Sequence, residues 1–100
     1  MTEPMLVAIE ATHLAGEKRG IGRYVRALLP RLLAERPLLR VILFARADDI
    51  PGLETMVAAD AGLAGRADVR DVRSMASVQA DLWWYPWNFI RPAPGNGPAV

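Results

Sequence analysis

The sequence predicts an α/β fold built on a parallel sheet, and three features predict it. Met5 to Ile9 (Met-Leu-Val-Ala-Ile) is an unbroken apolar run of strand length, and Leu39 to Ala45 (Leu-Arg-Val-Ile-Leu-Phe-Ala) is another. Continuous runs, unlike alternating ones, suit strands that are covered on both faces. Between them, Ile21, Tyr24, Val25, Leu28, Leu29, Leu32 and Leu33 recur at helical spacing and form a single apolar stripe, with Arg23, Arg26, Arg31 and Glu35 on the other side. Strand, helix and strand in this order make a βαβ unit with a right-handed crossover.

The remaining elements are weaker. Pro30 falls inside the helical stripe, where it removes the bond to the Arg26 carbonyl; because the stripe continues past it, a kink is expected, not a break. Asp48 to Gly52 carries turn chemistry, and Leu53, Met56 and Val57 predict a short helix ending before Gly62. Ala67 to Val72 reads as a strand left half polar by Asp68, Arg70 and Asp71, which suits a sheet edge. Ser74 is the candidate cap of one helical turn. Leu82 to Tyr85 reads as a buried strand closed by Pro86, and Arg91 to Pro98, with its prolines and glycines, as a loop. Alternating strands and helices of this kind predict a partial doubly wound, Rossmann-like parallel sheet of about four strands in the order 3-2-1-4, occupying one domain over residues 1–100.

Composition narrows the function classes. The chain is 52% hydrophobic and 23% charged, which is globular and not disordered. A net charge of +1 gives no electrostatic case for nucleic acid. With no cysteine, the sequence has no disulfide framework, thiolate zinc site or cysteine nucleophile, and its one histidine, His13, cannot build a multi-histidine metal site. No secretory leader and no membrane-length apolar run is present, so the expectation is a cytoplasmic protein, at most peripheral at a membrane surface.

Open parallel sheets bind ligands beyond the carboxyl ends of their strands, where strand order reverses. Here that means the loop Ala11 to Gly20 and the loop Pro86 to Pro98. The first runs through Gly16-Glu17-Lys18-Arg19-Gly20-Ile21-Gly22-Arg23-Tyr24 into the helix. Glycines there let backbone amides approach a ligand, and a helix start favours an anion such as phosphate. It is neither a Walker loop nor the full dinucleotide fingerprint, because Val25 holds the third glycine's place. Glycines that merely turn the chain are the plainer reading. Lys18, Arg19, Arg23 and Arg26 are either a phosphate-binding patch or a solvated helix face. His13 is a candidate general base or sugar-hydroxyl partner beside the reading of a solvated loop histidine, and Glu10 is a single carboxylate without an evident partner. Trp83, Trp84 and Tyr85 suit core packing; Trp87, Asn88 and Phe89 follow Pro86 out of the sheet, toward a ligand, a partner or local packing.

The stretch Ala8-Ile9-Glu10-Ala11, the long loop, and Arg19-Gly20-Ile21-Gly22-Arg23-Tyr24-Val25-Arg26-Ala27-Leu28-Leu29 together resemble the amino terminus of family 4 glycosyltransferases, which have the two-domain GT-B fold. Ala80-Asp81-Leu82-Trp83-Trp84-Tyr85-Pro86-Trp87-Asn88 resembles the family's next landmark, an Asp-Leu strand followed by a proline turn. The resemblance implies a retaining transfer of sugar from a nucleotide-sugar donor to a saccharide or lipid-linked acceptor, with no metal and no other cofactor. It implies that Gly20 and Gly22, with Arg23 in support, lie near the donor phosphates, and that His13, Trp87 and Asn88 face the acceptor. Two features depart from the family: Glu10 or Ala11 stands where many relatives carry Asp, and the Thr-x-His-Asp strand and donor-binding domain are not within these residues. The resemblance therefore implies an incomplete amino-terminal domain, inactive by itself. A stand-alone Rossmann- or flavodoxin-like module that binds a nucleotide or a partner is the other reading, and a half-sheet completed by oligomerisation a third.

Overall fold

A computed structural model describes residues 4–12, 14 and 20–84, with backbone alone for 20–23. In chain order the elements are β1 (Met5–Glu10), α1 (Gly20–Glu35), β2 (Leu39–Ala45), a 3-10 helix (Ala47–Asp49), α2 (Ile50–Ala59), β3 (Ala67–Asp71), a second 3-10 helix (Val72–Ser77) and β4 (Leu82–Trp84). The four strands form one sheet in the order β3-β2-β1-β4, parallel throughout. This is the α/β, partial doubly wound sheet that the sequence predicts.

The pleat divides the core in two. Val7 and Ile9 of β1, Leu39, Val41 and Leu43 of β2 and Ala67 of β3 share one face, covered by α1 through Val25, Leu29 and Leu33 and by α2 through Leu53 and Val57. Ala8, Ile42, Phe44 and Trp83 share the other, covered by Met75, Val78 and Ala80 on the crossover from β3 to β4. The crossover therefore changes faces as it carries the chain from one edge of the sheet to the other, which is what reverses the strand order. Phe44 and Trp83 stack with ring centroids 5.6 Å apart. They come from strands on either side of β1, Trp83 level with Ala8 and Phe44 level with Glu10, and share a buried cluster with Ala8, whose small side chain leaves room on that face.

Helix α1 runs unbroken through Pro30. The proline faces the turn that follows α2, where a Cβ built on Gly62 would stand 3.1 Å from the Pro30 Cβ. Tyr24, expected in the apolar stripe, is 60% exposed. Val25, Leu29 and Leu33 recur every fourth residue at the centre of the buried face, and Tyr24 lies roughly 100° round the helix from Val25. Turn chemistry at Asp48 to Gly52 gives way to helix: α2 already starts at Ile50, since Pro51 sits in the first turn, where no backbone N–H is required.

Two polar side chains, Arg66 and Asp81, join elements that are distant in sequence, and a third, Asp71, caps the element that follows it. Arg66 donates to the Leu33, Arg36 and Leu39 carbonyls and so ties the end of α1 to the start of β2. The cap of the second 3-10 helix is Asp71, not Ser74: the Asp71 carboxylate accepts the Arg73 N–H at 2.8 Å, while the Ser74 hydroxyl donates to the Asp71 carbonyl from inside the helix. Asp81 accepts the Leu6 N–H at 2.7 Å and donates its own N–H to the Leu6 carbonyl, extending the β1–β4 ladder by one residue. β3 is the polar edge strand expected, with Asp68 and Arg70 exposed.

Candidate functional site

The reversal of strand order falls between β1 and β4. Ile9 is in register with Trp84, so the segments after Glu10 and after Trp84 leave the same end of the sheet from neighbouring strands. The described ends of β1 and β4 are therefore one strand spacing apart, about 4.8 Å. β2 ends beside them: Glu10 is in register with Phe44, and the Ala11 N–H donates to the Phe44 carbonyl at 2.8 Å.

Glu10 is almost fully buried, and so is Thr12. One carboxylate oxygen, Oε1, accepts both the Thr12 backbone N–H at 2.8 Å and the Thr12 hydroxyl at 2.5 Å. This supplies the partner for the single carboxylate at the end of the first strand. Hydrogen bonds of this kind make the burial of a polar group tolerable. Leu14 is fully buried, its N–H donates to the Ala11 carbonyl, and its own carbonyl accepts Nη2 of Arg26 at 2.6 Å. Arg26 is thus half-buried and engaged with the loop instead of lying on a solvated helix face.

Gly20, Gly22 and Arg23 all belong to the first turn of α1. Four backbone N–H groups at a helix start have no partner within the helix, and they carry the positive end of its dipole. The glycines are thus part of the helix start itself and not of a loop preceding it. His13, Trp87 and Asn88 lie outside the described residues, as do Tyr85 and Phe89. The residues on either side of His13, Thr12 and Leu14, are both described and buried.

Thr12 and Arg46 are the residues at this end of the sheet that reading the sequence missed. Arg46 follows β2 directly and is exposed. The Glu-x-Thr spacing at the end of an apolar strand was the available signal for the first, and an arginine immediately after a parallel strand for the second. Among the described residues, clefts of about 310 Å³ lie between α2 and β3, bordered by Glu54, Val57 and Val69, and at the amino ends of the strands, bordered by Leu6, Arg40 and Asp81. Among the described residues no helix is long and apolar enough to cross a membrane.

Fold and site together define a four-stranded, partial doubly wound α/β sheet whose reversal point is framed by a helix start, arginines and a buried, hydrogen-bonded carboxylate. Compared with models of protein families, with curated proteins and with solved structures, the chain matches none.

Proposed function

We propose that the chain is the amino-terminal, acceptor-side part of a retaining glycosyltransferase that moves a sugar from a nucleotide-sugar donor to a saccharide or lipid-linked acceptor. The observation that carries this reading is the juxtaposition of β1 and β4, which starts the glycine-bearing segment and the Trp-Asn-bearing segment from adjacent strand ends. In that reading the first-turn amides of α1 around Gly20 and Gly22 hold the donor pyrophosphate, with Arg23 in support, and Arg46 adds a cation from the end of β2. Phosphate oxygens suit such a place because amide dipoles and guanidinium groups both compensate their charge. His13, Trp87 and Asn88 face the acceptor, where an indole offers a flat surface to a sugar ring and an amide can bond its hydroxyls.

Transfer then requires groups beyond the four strands, so the chain by itself is inactive and the protein encoded by the continued reading frame is active. The test is transfer from a panel of radiolabelled nucleotide-sugars to lipid and saccharide acceptors, run with the 100-residue chain and with the product of the continued frame. Transfer by the 100-residue chain alone would sink the proposal, as would a continued frame that encodes no second α/β half. The second reading, a stand-alone nucleotide-binding module, is favoured by the helix start lying at the reversal point of the sheet. Micromolar binding of a free nucleotide to the isolated chain in a calorimetric titration would select it.

A further inference from the structure

We infer that Glu10 and Arg26 are positioning residues: from two sides they hold Thr12 and Leu14, which flank His13 in the chain, in place before any ligand arrives. The inference rests on the reading that the loop after β1 faces the ligand. The turn after Ala11 is closed by the Leu14 N–H on the Ala11 carbonyl at 3.0 Å and joined to the sheet by the Ala11 N–H on Phe44.

On the strand side, Glu10 replaces what would otherwise be one more apolar residue of β1. A carboxylate that is 2% exposed is costly unless hydrogen bonds hold it. Here one of its oxygens takes both donors of Thr12, fixing the backbone and the side chain of that residue together. On the helix side, Arg26 reaches from the second turn of α1 to the Leu14 carbonyl. Leu14 is fully buried, which adds an apolar anchor at the same point. The two fastenings come from different elements and grip the residues directly before and after His13. Thr12 and Leu14, held in this way, lose their conformational entropy on folding, so a ligand does not have to order them.

The test is amide hydrogen exchange by NMR on the ligand-free chain. In Arg26→Ala and in Thr12→Val, the Thr12 and Leu14 amides should exchange about tenfold faster or more through local opening, while Ile9 and Leu43 in the sheet keep their wild-type rates. Thr12→Ser, which retains the hydroxyl, should restore slow exchange. Wild-type rates at Thr12 and Leu14 in both variants would overturn the inference, and so would acceleration shared equally by Ile9 and Leu43. Because no ligand enters the measurement, this outcome is separate from that of the transfer assay.

Discussion

Replacing Ala8 by leucine should destabilise the protein by more than any exposed alanine-to-leucine change. Phe44 and Trp83 belong to β2 and β4, which flank β1, and they are level with Glu10 and Ala8 respectively, so two strand spacings across and two residues along put their backbones roughly 11–12 Å apart. Their ring centroids are only 5.6 Å apart. The rings therefore lean toward each other over β1, and Ala8, level with Trp83, is fully buried in the same cluster. Leucine at this place adds three carbon atoms to a packed interior, and one ring must leave its stacked position or β1 must shift. Overpacking of this kind costs about 1–3 kcal/mol. With about 2 kcal/mol taken as the middle, a domain of this size loses about 8–16 °C in melting temperature. Thermal unfolding followed by circular dichroism measures it, with Ala34→Leu on the exposed side of α1 as the control. A second variant tests the cause. Phe44→Leu frees volume at the same point, so combining it with Ala8→Leu should cost less than the sum of the two single changes. A melting temperature for Ala8→Leu within 2 °C or so of the control, or strictly additive energies in the double variant, would refute this account of the packing.

Two glycines should respond to alanine for different reasons. Gly62→Ala brings a Cβ to 3.1 Å from Pro30 Cβ and 3.4 Å from its Cα, both on a helix that cannot yield easily, and should lower the urea midpoint by the equivalent of about 1 kcal/mol. Gly65→Ala meets open space but places alanine at a φ of +79°, and should cost about 1–2 kcal/mol. A Gly65→Ala variant as stable as the wild type would contradict the backbone assignment there. Hydrogen bonds from the Arg73 side chain, and then from its backbone N–H, hold the Asp71 carboxyl down to about 2 from an ordinary 3.8. A lowered folded-state value means that the contribution is complete above the ordinary value and disappears as pH falls through about 2. Asp71→Asn should therefore flatten the dependence of stability on pH between those two values, as read from urea midpoints in acid. An unchanged acid slope would show that Asp71 is not held this way.

The legible part of the fold was the part that neighbouring residues determine. The run Leu39 to Ala45 became β2 with the same bounds, and the stripe Val25, Leu29, Leu33 became the buried line of α1. Each signal is a repeat of apolar side chains along a few turns or pleats, and it survives without knowledge of what lies opposite. The errors fell where a local pattern is ambiguous. Tyr24 fits the helical spacing and still lies outside the contact, because the sheet covers only part of the circumference of α1. Ser74 is as good a cap as Asp71 by residue type, and only the place where the backbone leaves β3 chooses between them.

For the candidate site, the sequence by itself proposed a place, two glycine- or proline-rich segments after parallel strands with an amphipathic helix beginning at the first of them, and of this the parallel strands and the helix are seen. The tertiary structure decided the wiring. Arg26 with Leu14 at the site, and Asp81 with Leu6 at the opposite end of the sheet, pair donors and acceptors that no spacing rule joins, and the second pair is 75 residues apart. The physical reason lies in how the two kinds of interaction are specified. Burial of apolar surface needs only a face of the right chemistry, which a periodic sequence displays openly. A buried hydrogen bond needs one atom within about 3 Å of another, and that distance exists only after the chain has folded.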